Sequence, residues 1–260
     1  AGGRLIGPAE LGLIASLGIG EVSVYRRLRV AFFSTGDELR SIGTSLGEGE
    51  VYDSNRYTIF GMLTRMGCEV LDLGVVRDRP ALLEEAFRQA AAAADVVITS
   101  GGVSVGEADF VKELMARLGE VLFWKIAMKP GRPMAFGRIR GTGEGEPGAW
   151  LFGLPGNPVA VMVAFLQFVR DALYFLMGAD PVPAVPLLPA VCSVALKKAP
   201  GRTEYQRGVL ADGRVRPAGA QGSGILRSMS EANCLIVLEH ERRDVAVGDL
   251  VRVQLFDGLL

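Results

Sequence analysis

Short apolar runs alternate with longer amphipathic ones between residues 28 and 176, and this alternation constrains the fold more than any other feature. The short runs predict strands at 28–33, 69–73, 95–99 and 149–152. The longer runs predict helices at 54–66, 80–93, 109–118 and from 158 onward. Strands that alternate with helices join through right-handed crossovers into a mostly parallel sheet with helices on both faces. The sequence therefore predicts an α/β domain.

The pattern changes after residue 178. A proline-rich link leads into short period-two segments such as 192–196 and 251–255, which predict a small β-barrel-like domain. We therefore divide the chain into an α/β domain at 26–178 and a barrel-like domain at 179–260.

Composition excludes several classes of protein. The formal net charge of the 260 residues is -1, so the chain lacks the positive field of a nucleic-acid or anionic-membrane binder. The three cysteines are widely spaced without a CxxC pair, which argues against a disulfide framework or a zinc site and fits a reducing cytoplasm: Cys68, Cys192 and Cys234. The most apolar stretch, 159–176, is interrupted by polar residues and predicts a buried helix, not a membrane span.

Four loops follow predicted strands, at 34–38, 77–80, 100–109 and 153–158. In a parallel sheet, ligands bind beyond the carboxyl ends of the strands, where helix N-termini offer unpaired amides and partial positive charge. We therefore expect these loops to form the binding site.

Two of these loops are rich in glycine. In the loop at 100–109, Gly101 and Gly102 allow close backbone approach to a phosphate, and the Ser100 and Ser104 hydroxyls add donors. The loop matches neither GxGxxG nor a P-loop, so a simple glycine turn stays equally open. The second loop offers Pro155, Gly156 and Asn157, although Asn157 also suits an ordinary helix cap.

Cations and acids accompany the loops. Lys125, Lys129 and Arg132 lie in a stretch that Gly131 and its prolines stiffen and keep from regular structure, so they suit a fixed anion site, although such lysines are often merely solvated. The oxygen ligands that Mg²⁺ prefers could come from acids beside Thr35 and Gly36 and from two further loops: Asp37, Glu38, Asp78 and Asp109. Asp78 and Asp109 are equally candidates for helix caps.

The barrel-like domain pairs Arg207 with Ser223 beside glycines. An arginine fork and a hydroxyl suit a tetrahedral oxyanion. An outward-facing strand arginine and a turn serine would explain the same residues without a ligand.

Eight motifs, in order along the chain, resemble the molybdopterin molybdenumtransferase family, which includes MoeA and the gephyrin E domain. They are Ser-Thr-Gly-Asp-Glu-Leu at 34–39, Tyr-Asp-Ser-Asn at 52–55, Val-Val-Arg-Asp at 75–78, Ser-Gly-Gly-Val-Ser-Val-Gly-Glu-Ala-Asp at 100–109, Lys-Pro-Gly-Arg-Pro at 129–133, Gly-Leu-Pro-Gly-Asn-Pro-Val at 153–159, and Gln-Arg-Gly followed by Gln-Gly-Ser at 206–208 and 221–223. The match covers almost the whole chain.

The resemblance implies functional acids at Glu38, Asp78 and Asp109 and functional lysines at Lys125 and Lys129. It places Mg²⁺ at Asp78 and Asp109, and molybdate near Arg207 and Ser223. It further implies that adenylylated molybdopterin binds over the glycine loops and that molybdenum insertion accompanies AMP release.

The family also implies a homodimer, an N-terminal region of which residues 1–25 are only the last segment, and contact with the molybdopterin adenylyltransferase. Two alternatives stay open. A stand-alone molybdopterin adenylyltransferase shares the α/β domain but ends without a barrel, and a gephyrin-like scaffold binds peptides without activity.

Overall fold

The computed structural model describes residues 2–102, 108–141 and 148–257; the side chains of 108–112 and 123–124 are also left undescribed. Fourteen strands occur in these ranges: β1 Arg29–Thr35, β2 Leu39–Arg40, β3 Val51–Tyr52, β4 Glu69–Val76, β5 Val96–Ser100, β6 Gly119–Lys125, β7 Met128–Lys129, β8 Pro133–Ile139, β9 Ala149–Leu154, β10 Leu188–Cys192, β11 Thr203–Ala211, β12 Arg214–Pro217, β13 Cys234–Leu238 and β14 Leu250–Leu255. The helices are α1 Pro8–Ser16, α2 Ser54–Arg65, α3 Pro80–Ala93, α4 Ala108–Leu118, α5 Pro158–Ala164, α6 Arg170–Leu176 and α7 Arg227–Ser230.

The first sheet has the strand order β4-β1-β5-β9-β8-β6. Its first four strands are parallel, while β8 and β6 are antiparallel to their neighbours. Along β1, Val30 and Phe32 enter one core and Ala31 and Phe33 enter another. Since both faces of the strand are buried, its sequence is continuously apolar and does not alternate.

The helix after β9 runs from α5 through a π-helical segment, Phe165–Val169, into α6. The 19-residue stretch Pro158–Leu176 has a mean hydropathy of 1.7, enough by length and composition alone to cross a membrane. However, 56% of its apolar window is buried inside the protein. Val161, Phe165 and Val169 pack in the core beneath the sheet, which is the environment of a core helix.

The second sheet closes into a barrel. Strands pair in the order β12-β10-β14-β13-β11, and β11 pairs again with β12, so the five strands form a ring. The interior holds an apolar cluster that includes Val215, Cys234, Ile236 and Val253. Closure removes the free edges of these five strands except at the start of β11, where a sixth strand pairs with Thr203 and Glu204.

That sixth strand, β7, belongs to the segment that connects two strands of the first sheet. Met128 pairs with Thr203 and Lys129 with Glu204, in parallel. An apolar cluster of both units, including Met128, Val163 and Leu235, packs around this contact. The two units are therefore joined by backbone pairing as well as by side-chain packing.

The predicted fold class, an α/β unit followed by a small barrel, is confirmed. The expectation that 124–133 lacks regular structure is wrong in part, because β6 ends at Lys125, β7 occupies Met128–Lys129 and β8 begins at Pro133. Pairing with sequence-distant partners produces these strands, since β6 and β8 pair with each other and β7 pairs with the barrel.

Two glycine substitutions should test barrel packing. A Cβ at Gly208 would lie 2.8 Å from Ile236 Cγ1 and 3.0 Å from Cys234 Sγ, whereas a Cβ at Gly61 in α2 would meet no atom within 4 Å. We expect Gly208→Ala to lower the free energy of unfolding by about 1–3 kcal/mol through overpacking. Gly61→Ala should raise it by about 0.5–1 kcal/mol through helix propensity. Urea denaturation measures both, and equal effects would contradict a tightly packed barrel interior.

Candidate functional site

A cavity of about 800 Å³ lies between the carboxyl edge of the first sheet and the barrel. The loops after β1, β5 and β9 form one wall, and β11 with the turn at 221–224 forms the other. Its size is ordinary for a small-molecule site. The cavity therefore lies where the topology of a parallel sheet predicts a ligand.

Most of the predicted site residues meet in this cavity. Those that line it are Thr35, Gly36, Glu38, Asp78, Ser100, Gly101, Gly102, Lys129, Gly131, Pro155, Gly156, Asn157, Arg207 and Ser223. The structure thus brings together residues as distant in the sequence as Thr35 and Ser223. They meet because the edge of the sheet faces the second unit.

Three predicted residues, Asp37, Lys125 and Arg132, do not line the cavity, although each lies close in sequence to a residue that does. Lys125 and Arg132 are exposed, at the end of β6 and just before β8. Ser104 and the side chain of Asp109 lie outside the described residues, so their roles stay predictions.

The glycine loop after β5 is shaped by contact with the end of β1. Gly101 has a φ of +94°, and a Cβ there would lie 2.2 Å from the Thr35 carbonyl oxygen. Gly102 has a φ of +66°. The Gly101 amide donates to the Leu154 carbonyl at 3.2 Å, so this amide serves the sheet and not a ligand.

Asp78 lies near two other acids, Asp37 and Glu38, of which Glu38 also lines the cavity. The Thr35 hydroxyl donates a hydrogen bond to Asp78, and the Asp78 amide lies 3.4 Å from Asp37 Oδ1. Burial raises the pKa of Asp78, and the negative charges of Asp37 and Glu38 raise it further. The N-cap position of α3 is Arg79, which removes the interpretation of Asp78 as a helix cap.

The described residues contain no cluster of three or more His, Cys, Asp or Glu side chains arranged to hold a metal ion. Mg²⁺ is commonly held by one or two carboxylates together with substrate phosphates, so a protein cage is not required. Asp78, half-buried beside two other carboxylates, has the donor chemistry for that kind of site.

Lys129 lies against a buried carboxylate of the barrel. Its Nζ is 3.6 Å from Glu204 Oε2, and Glu204 is only 5% exposed. The Gln206 amide lies 3.3 Å from the same oxygen. Because the pairing of β7 with β11 sets Lys129 opposite Glu204, the ammonium is held at the boundary between the two units.

Arg207 is 1% exposed and braces the turn that carries Ser223. Its guanidinium donates to the carbonyls of Ala220, Gln221 and Gly222 at 2.9–3.1 Å, and to the Ser228 hydroxyl at 3.0 Å. Burial lowers the pKa of Arg207 from its usual value. Most of the fork is therefore engaged by the protein, and the assignment of Arg207 to molybdate stays a prediction.

The braced turn contacts the start of α5. The Val159 amide donates to the Ser223 carbonyl at 3.0 Å, which satisfies one of the free amides of that helix. Asn157 occupies the N-cap position without a side-chain cap bond, and it lines the cavity. The cap interpretation of the Asn157 side chain therefore does not hold in this structure.

Sequence reasoning missed several residues of the cavity. Asp53 and Asn55 line it from the start of α2, and Glu204 and Tyr205 line it from β11. Burial raises the pKa values of both Asp53 and Tyr205. The sequence carries a signal for Asp53 and Asn55, which belong to the motif Tyr-Asp-Ser-Asn at 52–55, whereas Glu204 and Tyr205 only precede the motif Gln-Arg-Gly at 206–208.

Two family descriptions match the chain. One, a probable molybdopterin binding domain, matches residues 31–174, more than half of the chain. The other, the MoeA C-terminal region (domain IV), matches residues 189–256.

Curated relatives and a solved structure agree with these matches. The chain is 45% identical over 263 residues to the molybdopterin molybdenumtransferase of Haemophilus influenzae, covering 99% of the chain and 63% of that protein. It is 36% identical to the molybdopterin molybdenumtransferase 2 of Mycobacterium tuberculosis, covering 96% of the chain and 62% of the relative. The crystal structure of a MoeA molybdopterin biosynthesis protein from Pyrococcus horikoshii is similar with a TM-score of 0.82 at 28% identity, covering 98% and 61% of the two chains.

The raised pKa of Asp78 predicts an unusual effect on stability. The folded chain keeps the Asp78 proton to a higher pH than the unfolded chain, so ionisation destabilises the fold as the pH rises past about 4. Asp78→Asn removes this cost and keeps an acceptor for Thr35. We expect its Tm at pH 7, measured in EDTA, to rise by about 1 °C or more. The gain should vanish below about pH 3.5.

Asp95→Asn is the matched control. Hydrogen bonds from Arg26 hold the pKa of Asp95 below its usual value, so its ionised form stabilises the fold above about pH 4. Asp95→Asn should therefore lower the Tm at pH 7. If Asp78→Asn also lowered the Tm, the ionised carboxylate of Asp78 would not destabilise the fold, and the assignment would be wrong.

Proposed function

Since the chain belongs to the molybdopterin-binding domain family and ends in a MoeA-type C-terminal region, we propose that it forms the substrate-binding portion of a molybdopterin molybdenumtransferase. Its substrates would be adenylylated molybdopterin and molybdate, and its products the molybdenum cofactor and AMP. The cavity between the glycine loops and the barrel turn is the observation that carries this proposal.

The barrel favours this activity over that of a stand-alone molybdopterin adenylyltransferase. Half of the cavity wall comes from β11 and the turn at 221–224, which belong to the region matched by the MoeA C-terminal description. An α/β unit alone would leave that side of the cavity open to water.

In this proposal the phosphates of adenylylated molybdopterin lie over the loops at 100–102 and 155–157, next to the N-terminus of α5. Lys129 supplies a positive charge at the cavity wall, and Arg132 lies nearby in sequence. Molybdate lies near the turn that Arg207 and Ser223 form. The protein would contribute positioning and charge neutralisation. The dithiolene sulfurs form Mo–S bonds as Mo–O bonds of molybdate break and that oxygen leaves as water, and hydrolysis of the bond between the two phosphates releases AMP.

Mg²⁺ is part of the same proposal. Asp78 would hold it through a carboxylate oxygen, with Asp109 as the second predicted ligand, and the ion would neutralise phosphate charge when bound. Glu38 lines the cavity beside Asp78 and adds to the negative potential that attracts a cation.

We also propose a cytoplasmic homodimer that receives its substrate from the molybdopterin adenylyltransferase. Helix α1 supports the dimer, because it buries none of its residues and leaves Leu11 and Leu13, as well as Leu17 just after its end, more than 60% exposed. Residues 1–25 would then belong with an N-terminal region, apart from the units at 26–178 and 179–260.

The loop after β9 offers a test of ligand placement. Gly156 is exposed in the cavity, and a Cβ there would lie 3.8 Å from Gly101 Cα, an ordinary contact. We expect Gly156→Ala to fold normally and to bind molybdopterin about tenfold more weakly, because its methyl group enters the phosphate position. Fluorescence titration measures the affinity. Unchanged affinity in the folded variant would remove this loop from the site.

The activity itself is tested by molybdate-dependent release of AMP from adenylylated molybdopterin, followed by liquid chromatography. We expect Lys129→Gln to slow release at least about tenfold, since one charged contact is lost near the reacting groups. Lys197→Gln is the matched control, because Lys197 is 93% exposed and pairs with Asp244 away from the cavity. If the unsubstituted chain binds both substrates and releases no AMP, the proposed transferase activity is wrong for this chain.

A further inference from the structure

The motif Tyr-Asp-Ser-Asn at 52–55 has no role in the chemistry described so far, yet it ends in an unusual residue. Asn55 lies in the first turn of α2 and is 6% exposed, although it is polar and lines the cavity. A polar side chain is buried at little cost only when its hydrogen-bonding atoms are paired. The partners of Asn55 therefore indicate what the residue does.

Both hydrogens of the Asn55 amide are engaged, each by a different loop. Nδ2 lies 2.7 Å from Ser100 Oγ and 2.7 Å from the Gly156 carbonyl oxygen. The Ser100 hydroxyl in turn lies 3.3 Å from the Pro155 carbonyl oxygen. One side chain thus connects the start of α2, the end of β5 and the loop after β9.

At the ends of β5 and β9 the Gly101 amide donates to the Leu154 carbonyl, and beyond that bond the described residues join the two loops only through Asn55 and Ser100. They meet backbone to backbone, since a Cβ built on Gly156 would lie 3.8 Å from Gly101 Cα. Glycines give close approach but contribute no side-chain bond. Ser100, 1% exposed and bonded to Asn55 and Pro155, serves this connection in the structure and does not face the cavity as a free donor.

The connection is kept at an energetic cost. Asn55 Oδ1 is buried and accepts no hydrogen bond from the described residues. An unpaired buried acceptor is unfavourable. An unpaired buried polar group is typical of a functional site, where local stability is given up for geometry.

We propose that Asn55 is a positioning residue that fixes the separation of the glycine loops at 100–102 and 155–157 and thereby the width of the phosphate-binding end of the cavity. It acts through the loops and does not itself contact the ligand. The ligand part of this inference rests on the proposed function.

Two substitutions separate the two hydrogen bonds. Asn55→Asp replaces Nδ2 with an oxygen that would repel the Gly156 carbonyl. Ser100→Ala removes the bonds that the Ser100 hydroxyl makes to Asn55 and Pro155 and keeps the bond of Asn55 to Gly156. Asn55→Ala, which removes both bonds without introducing a charge, is the second variant should Asn55→Asp fold poorly. Asn233→Asp is the matched control, because the Asn233 amide also donates to a backbone carbonyl, Leu210 O at 2.9 Å, but lies in the barrel outside the cavity lining.

The first measurement is hydrogen–deuterium exchange of the ligand-free chain. In the Asn55 variants we expect faster exchange beside both loops at once, at the Gly101 amide, which donates to Leu154, and at the Val161 amide, which donates to Asn157, and no change there in Asn233→Asp. Ser100→Ala should give a smaller increase because the bond to Gly156 remains. Faster exchange confined to α2 would overturn the inference, because it would show that Asn55 stabilises only its own helix.

The second measurement is the affinity for molybdopterin at a temperature where every variant is fully folded. We expect at least about tenfold weaker binding in the Asn55 variants, because the freed loops must be ordered when the ligand binds, and wild-type affinity in Asn233→Asp. A purely structural role would lower the Tm and leave the affinity of the folded protein unchanged, and that result would overturn the inference. If the unsubstituted chain binds no molybdopterin, the proposed function fails together with the ligand part of the inference, whereas the exchange result still decides whether Asn55 joins the loops.

Discussion

The parallel register of three central strands is the constraint on which the rest of the site depends. Ser34 in β1 pairs with Ser100 in β5, and Ser100 pairs with Leu154 in β9, so the three strands end at the same level. Each strand is buried on both faces and cannot shift along its neighbours without losing its apolar contacts. The loops that follow therefore start side by side, and short loops are enough to bring their polar residues together.

The barrel completes the site through a different kind of interaction. A buried guanidinium is costly in isolation, and Arg207 meets this cost with three carbonyl groups and a hydroxyl, with no ion pair among the described residues. Those carbonyls belong to consecutive residues, 220–222, so this segment of backbone bends around the guanidinium. The Ser223 carbonyl is then directed to the Val159 amide, and the turn becomes part of the cavity wall.

Much of this arrangement follows from the sequence because it depends on local patterns. Hydrophobic periodicity located the parallel strands, and the position of loops after those strands gathered Thr35, Gly101 and Gly156 at one edge. Residues whose position depends on distant partners were harder to place. The sequence groups Lys125 with Lys129, but Lys125 lies outside the cavity lining although it pairs with Pro133 of the cavity wall. The pairing of β7 with β11 instead brings Glu204 to Lys129. The role of Asn55 cannot be predicted from the sequence, because an asparagine near the start of a helix is usually a cap. Only its hydrogen bonds to Ser100 and Gly156 distinguish it.

The strand pairing between β7 and β11 also bears on how proteins of this architecture can be recombined. Met128 and Lys129 are interleaved in the sequence between two strands of the first sheet, yet they form the edge strand of the barrel. A chimera that exchanged only the barrel at the proline-rich link would place a foreign β11 beside the original β7, and would replace Glu204 while leaving Lys129. The smallest exchangeable module is therefore discontinuous and consists of the barrel together with residues 128–129. Crossovers at the link alone should be selected against whenever β7 of one parent no longer matches β11 of the other.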